Sequence, residues 1–376
     1  MIKEGSPEKE VEDNPHAFSL SSVSLANFRN YEVAKIEPSL GTNLVCGPNA
    51  QGKTSLLEAV SLLSTGRLLR GSRDAVAIRH GQDTAKVQGE LSQTGTTVSV
   101  ILQRGVRKKV ELNGLGLPRA SDIIGRLPTV SFSASDLGIV TGEPSDRRQF
   151  LDWELAQLYP AYLRHLTVYK RALEQRNALL KHAQASAVDP LAFEPWEDHL
   201  ASHGAEIRRI RSEWIEEIQP MTNVAHAQLG QGEQLTLRYD VREPEDQTAA
   251  VLANTRPVDI LRGTTTTGPH RDELAILVNG TEARSFGSQG QQRTAVISLK
   301  LAVLESVEGH MGAAPVLLLD DVFSDLDAQR RSRLVERTVH RGGQVFLTCT
   351  EAEQAGVDLA KGARVFQVES GKVVEP

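Results

Sequence analysis

Gly47-Pro48-Asn49-Ala50-Gln51-Gly52-Lys53-Thr54 is the stretch from which the rest of the chain can be read. Its spacing is G-x-x-x-x-G-K-[ST], the pattern of a phosphate-cradling P-loop. Glycines at both ends let backbone N–H groups curl around phosphate oxygens with no Cβ in the way. Lys53 is placed to reach the β- and γ-phosphates of a nucleotide, and the Thr54 hydroxyl to ligate Mg²⁺. The flanks agree. Asn43-Leu44-Val45-Cys46 suits a strand entering the loop, and Thr54 to Leu63 carries apolar residues at helical spacing. The helix N-terminus then faces the same anion, with Ser55 in its first turn. An α/β fold that binds ATP and Mg²⁺ is expected.

A second anchor is Val316-Leu317-Leu318-Leu319-Asp320-Asp321. An apolar strand ending in two carboxylates belongs where an open parallel sheet holds its ligands. Asp320 is expected to bind Mg²⁺ through the metal's water shell, and Asp321 to orient or deprotonate the attacking water. Lys53 and Asp321 are thus the catalytic pair, and Arg29 and Asn30, ahead of the loop, are candidates to touch the nucleotide.

Working outward, the chain has 376 residues, enough for two modest domains. Residues 1–17 are charged, carry two prolines and lack a secretory apolar stretch, so a disordered extension is expected there. Residues 18–143 hold alternating strand-like runs around the P-loop, with a small antiparallel β lobe over 85–114. Residues 144–230 are rich in Leu, Ala, Arg and Glu at helical spacing, broken by Pro160 and by a loop over 183–194. Strands resume at Leu235-Thr236-Leu237-Arg238-Tyr239-Asp240, and 231–376 complete the α/β part. The head is therefore expected to be split in sequence and joined in space, with the helical segment inserted as an arm.

Net charge is −6, so nucleic-acid binding would need a local patch. Arg67, Arg70 and Arg73 form one candidate, and Arg107, Lys108 and Lys109, next to Arg104, another. Two cysteines, Cys46 and Cys349, cannot make a disulfide framework or a zinc site and are expected to be small buried residues in a reducing compartment. No apolar run approaches the eighteen or so residues a membrane helix needs, so a soluble, cytoplasmic protein with no membrane partner is expected.

A third motif is Phe286-Gly287-Ser288-Gln289-Gly290-Gln291-Gln292-Arg293, ahead of an apolar-periodic segment. A serine and glycines at a helix start make another anion site. This motif resembles the signature of ABC-type ATPases, and Ser324-Asp325-Leu326-Asp327 resembles their D-loop. The resemblance implies that Ser288, Gln289, Gly290 and Gln291 cap the γ-phosphate held by a partner protomer. The insertion between Lys53 and Ser288 is too short for a long coiled coil and lacks sustained heptads. Asn27-Phe28-Arg29-Asn30-Tyr31, Arg147-Arg148-Gln149-Phe150-Leu151-Asp152 and Thr267-Gly268-Pro269-His270-Arg271-Asp272 complete the pattern. From about Phe18 onward the chain resembles the RecF family of bacterial DNA-repair ATPases, relatives of the ABC and SMC heads.

That resemblance implies an ABC-type head with a mixed sheet, a small antiparallel lobe and a helical arm. It implies a homodimer formed on ATP binding, double-stranded DNA bound near single-strand gaps, and RecA loading with RecO and RecR. It also implies weak, DNA-stimulated ATP hydrolysis acting as a timer in replication and repair of DNA damage. One departure stands out: Ala134-Ser135 replaces the Pro-Glu common in such chains, removing a carboxylate for which Asp136 is a partial substitute. The short Asp321 at the position of the usual ABC glutamate predicts slow hydrolysis. Three other readings share the P-loop: a transporter ATPase subunit, an ATP-holding scaffold with negligible turnover, and a small nucleotide kinase.

Overall fold

The computed structural model describes residues 17–69, 73–230, 232–242, 248–323, 328–352, 356 and 361–374. The expected extension (all but Ala17), Arg70 and the D-loop-like stretch 324–327 lie outside the described residues. Strands β1 (Leu20–Phe28), β2 (Tyr31–Ile36) and β3 (Thr42–Cys46) lead into the P-loop and helix α1 (Lys53–Thr65). Strands β4 (Thr84–Leu91), β5 (Thr97–Gln103), β6 (Lys109–Leu112), β7 (Leu115–Gly116) and β8 (Thr129–Ser133) follow. Helices α2 (Gly138–Thr141), α3 (Pro144–Leu158), α4 (Pro160–Ala183) and α5 (Glu194–Leu229) come next. They are succeeded by β9 (Leu235–Asp240), α6 (Ala249–Arg262), β10 (Glu273–Val278), β11 (Thr281–Glu282), α7 (Ala283–Phe286) and α8 (Gln289–Met311). The chain closes with β12 (Val316–Asp320), α9 (Ala328–Thr338), β13 (Val345–Cys349), β14 (Arg364–Glu369) and β15 (Lys372–Val374).

Two compact units result: the described residues of Met1–Ala134 with Val307–Pro376, and Ser135–Ser306. In the first, one sheet runs β15-β14-β3-β13-β12-β8. All its pairings are parallel except the terminal β14–β15 hairpin. Every residue of β12 and β13 is buried, as expected of central parallel strands covered on both faces. The other sheet is antiparallel, β2-β1-β4-β5-β6-β7. Leu56, Leu57, Val60 and Leu63 of α1 share one core with Val23 and Val87 of the antiparallel sheet and Val45, Leu318 and Phe346 of the parallel one. Cys46 and Cys349 are both buried thiols, in register on β3 and β13 with their sulfurs 3.0 Å apart.

In the second unit, β9 and β10 pair antiparallel, and buried ion pairs bind the helices to that sheet. Arg208 of α5 holds Asp272 with two bonds of 2.7 and 2.8 Å, and Arg147 of α3 donates to Glu273 at 2.6 Å. Arg176 of α4, fully buried, donates to Asp259 of α6 at 2.7 Å and to Glu197 of α5 at 3.2 Å.

The helical boundaries match the periodicity: α3 and α4 meet at Pro160, and the interhelical segment falls between Ala183 and Glu194. Compactness divides the chain at other points than the expected 18–143, 144–230 and 231–376: residues 135–143 and 231–306 group with the helices. The cause is long-range: β9 packs on α5, and Arg147, Arg176 and Arg208 each bind a carboxylate beyond residue 230, Glu273, Asp259 and Asp272. The antiparallel lobe is also larger than 85–114, because β1 and β2 extend it by hydrogen bonding to β4.

Candidate nucleotide site

The P-loop lies at the carboxyl end of β3, flanked in the sheet by β14 and β13, with β12 one strand further. Gly52 has φ 122°, and a Cβ there would stand 2.8 Å from the Asn30 side chain and 3.0 Å from the Tyr31 hydroxyl. Only glycine fits so close an approach without displacing a neighbour. Lys53 Nζ donates to the Gly47 carbonyl at 2.5 Å and to the Pro48 carbonyl at 2.9 Å, which holds the ammonium inside the curve of the loop. Thr54 Oγ1 donates to Asp320 Oδ1 at 2.8 Å, tying the first turn of α1 to the end of β12.

Thr348 completes this arrangement. Its hydroxyl donates to Asp320 Oδ1 at 3.1 Å and accepts from the Asp321 N–H at 2.8 Å. Asp321 itself sits at φ 54°, a left-handed conformation unusual for a non-glycine residue, and the Thr348 hydroxyl anchors its backbone there. Thr54 and Asp320 are hard oxygen donors, which suits Mg²⁺; among the described residues no cluster of three or more His, Cys, Asp or Glu offers an all-protein metal cage. That fits a metal held by one carboxylate and a hydroxyl, with phosphate and water completing its shell.

A cleft of about 800 Å³ is lined by Arg29, Asn30, Asn49, Ala50, Gly52, Lys53, Thr54, Ser55, Asp320, Asp321 and Thr348. Its other walls are Ala75, Val76, Ile78, His80 and Arg104. Most of the expected nucleotide set is therefore gathered in one place. Gly47 and Pro48 take part through the carbonyls that hold Lys53, and the Gln51 side chain turns to Ser370, whose N–H donates to Oε1 at 2.7 Å.

Arg29 and Asn30 line the cleft and also brace it. Arg29 makes a bidentate pair with buried Glu58 of α1, at 2.7 and 2.8 Å. Asn30 Nδ2 donates to the Gln51 carbonyl at 2.6 Å, and the Tyr31 hydroxyl to the Gly52 carbonyl at 2.9 Å. Burial pushes the Tyr31 hydroxyl well above the usual tyrosine range, so it keeps the proton it donates.

Ser288, Gln289, Gly290 and Gln291 lie in the other unit, at the start of α8. The Ser288 N–H donates to Gln291 Oε1 at 2.8 Å and the Gln291 N–H to Ser288 Oγ at 3.3 Å, a reciprocal cap that leaves Ser288 and Gln289 exposed. Asp136 does not line the cleft; its carboxylate acts on Lys300 of α8.

Of the basic patches, Arg67, Arg73 and Arg107 are exposed. Lys108 is engaged internally, donating to Asp74 at 2.8 Å and to the Gly66 carbonyl at 2.7 Å, and Lys109 pairs with Glu111 at 2.7 Å. Glu58, the cleft-lining role of His80 and Arg104, and the Thr348 bridge escaped the sequence reading. The first could have been sought as a helix carboxylate facing the Arg29 turn; the others depend on tertiary placement alone.

A P-loop, a buried strand ending in Asp320 and a capped signature helix define an ATP-binding head of the ABC/SMC class. Residues 19–373 match the RecF/RecN/SMC N terminal domain. The chain is 38% identical over 370 residues to the DNA replication and repair protein RecF of Symbiobacterium thermophilum, covering 94% of this chain and 98% of that one. It is 35% identical over 371 residues to the RecF of Bacillus subtilis, covering 95% and 100%. A solved structure described as the recombination mediator protein RecF-ATP in the RecFOR pathway superposes with a TM-score of 0.88, at 31% identity over 96% of this chain and 98% of that one. The Smc head domain of Pyrococcus furiosus shares the fold at TM-score 0.56 and 16% identity over 96% of each chain. This chain belongs to the RecF family.

Proposed function

We propose that this chain is an ATP-operated DNA-binding protein of replication and recombinational repair. The observation that carries the reading is the Thr54 Oγ1–Asp320 Oδ1 bond of 2.8 Å beneath the Lys53 loop. It brings the two Mg²⁺-directed groups together at a helix N-terminus. Bound Mg²⁺ supplies charge neutralisation at the phosphates. Lys53 holds the β- and γ-phosphates, and Asp321, fixed through Thr348, orients the attacking water.

Head-to-head dimerisation places Ser288, Gln289, Gly290 and Gln291 of one chain over the γ-phosphate held by Lys53 of the other. The γ-phosphate is then the contact that exists only in the closed dimer, and hydrolysis removes it. The dimer binds double-stranded DNA near single-strand gaps through its phosphates, and with RecO and RecR promotes RecA loading. Family membership and the names of the relatives support this reading. The short Asp321 side chain makes hydrolysis slow, so it times release.

A mixing experiment tests the composite site. Lys53→Ala and Ser288→Arg chains are each expected to be inactive in ATP-dependent dimerisation. Mixed one to one, they form a heterodimer with one intact site, pairing Lys53 of one chain with Ser288 of the other, and ATPase activity returns in part. If the mixture stays as inactive as its components while wild type is active, the signature does not act in trans.

A further inference from the structure

Gln51 sits at the crest of the P-loop without lining the cleft, yet it is gripped from two sides. Its carbonyl accepts from Asn30 Nδ2 at 2.6 Å and from the Gly371 N–H at 3.1 Å. Its side-chain Oε1 accepts from the Ser370 N–H at 2.7 Å. Ser370 and Gly371 are the two-residue turn of the β14–β15 hairpin, closed by the Glu369–Lys372 pair, and both have positive φ, 50° and 74°. That is the conformation a tight primed turn demands. A Cβ on Gly371 would collide with the Asn30 carbonyl oxygen. Two turns from opposite ends of the chain thus close on one P-loop residue.

A trans peptide is planar, with its C=O and N–H on opposite sides. Holding the Gln51 carbonyl therefore aims the Gly52 N–H the other way, and Tyr31, holding the Gly52 carbonyl, does the same for the Lys53 N–H. Consecutive N–H groups aimed alike make an anion nest. Binding is tighter when such donors are already in place and need not be ordered by the ligand.

We infer that the Ser370–Gly371 turn is a positioning element for the nucleotide site, setting phosphate affinity through Gln51 without touching the ligand. The inference rests on reading the P-loop as an ATP site. Its residues are far from the loop in sequence, and nothing in their own composition marks them as part of a nucleotide site.

The test is a titration of full-length chain with fluorescent ATP, with melting temperature read in parallel. Gly371→Ala puts a Cβ against Asn30, whereas Gly95→Ala imposes a similar left-handed strain (φ 63°) in another hairpin where no atom lies within 4 Å. Gln51→Ala removes the Ser370 acceptor with no strain at all. Loss of one such hydrogen bond at a preorganised donor array corresponds to about fivefold in affinity. The expected result is about fivefold or more weaker binding in Gly371→Ala and Gln51→Ala and wild-type affinity in Gly95→Ala, with the melting temperature lowered in the two glycine variants and near that of wild type in Gln51→Ala. Wild-type affinity in Gln51→Ala overturns the inference, including where Gly371→Ala fails to fold. If Lys53→Ala also binds as wild type does, the P-loop reading itself has failed.

Discussion

At the residue scale, Thr348 and Glu58 carry the most specific expectations. Thr348→Val keeps the β-branched shape but removes the hydroxyl that bridges Asp320 and the Asp321 N–H. Released from that anchor, Asp321 drifts from a strained φ of 54° while the phosphate-binding groups stay in place. Displacements of about 1 Å in a catalytic group cost up to a hundredfold. Single-turnover hydrolysis is therefore expected to fall about tenfold or more, with ATP affinity little changed; equal losses in both would show that Thr348 acts on binding. Glu58→Ala strips Arg29 of both charge-assisted bonds, a loss of about 2 kcal/mol in a denaturant unfolding titration. It also loosens the Arg29-Asn30 turn, so weaker nucleotide binding should accompany the lower stability.

At the scale of elements, the second unit depends on arginines buried among its helices. Arg176 contacts Asp259, Glu197, Thr265 and the Leu252 carbonyl with no exposed surface of its own. Removing one partner of a buried pair leaves uncompensated charge, so Arg176→Ala is expected to destabilise this unit by about 3–5 kcal/mol. Limited proteolysis within 135–306 reads that loss, and unchanged protection would contradict it. His270 serves the same unit. Its Nε2 donates to the Thr265 carbonyl at 3.1 Å, so its Nδ1 accepts from the Tyr169 hydroxyl at 2.6 Å. Burial lowers its pKa from 6.5 to about 4, with Arg271 and Arg148 adding to the effect. The folded chain thus holds His270 neutral where the unfolded chain protonates it. Its stabilisation is complete above pH 6.5 and lost as pH falls toward 4, amounting to about 3 kcal/mol. His270→Gln should flatten that part of the pH–stability curve.

What could be read from the sequence divides along the same lines. The P-loop, β12 and the three long helices announce themselves through local spacing, glycine and proline positions, and apolar runs. The arginine partners do not, because Asp259, Asp272 and Glu273 are close to Arg176, Arg208 and Arg147 only after folding, and periodicity carries no information about such pairs. For that reason the local pattern gives no sign that β9–β11 group with the helical segment in the folded chain. At the site, Lys53, Thr54, Asp320 and Asp321 follow from motif chemistry, whereas the bracing by Glu58, Thr348 and the Ser370–Gly371 turn depends on strands far apart in sequence lying side by side.

For the whole molecule, the net charge of −6 means that the proposed DNA binding has to come from local surfaces that a long-range field does not assist. Among the described residues no helix is long and apolar enough to cross a membrane. If phosphate contacts dominate, affinity for DNA falls steeply between low and physiological salt. Charge removal at Arg67, Arg73 and Arg107 should lower that salt slope more than at Lys108, which is held by Asp74 and Gly66. The most direct measurement is the mass and gapped-duplex affinity of the chain with ATP, with ADP and without nucleotide, for wild type and Lys53→Ala. A dimer that binds DNA with ATP alone is expected, with neither dimer nor binding in Lys53→Ala. DNA affinity indifferent to nucleotide, or a monomer throughout, would contradict it.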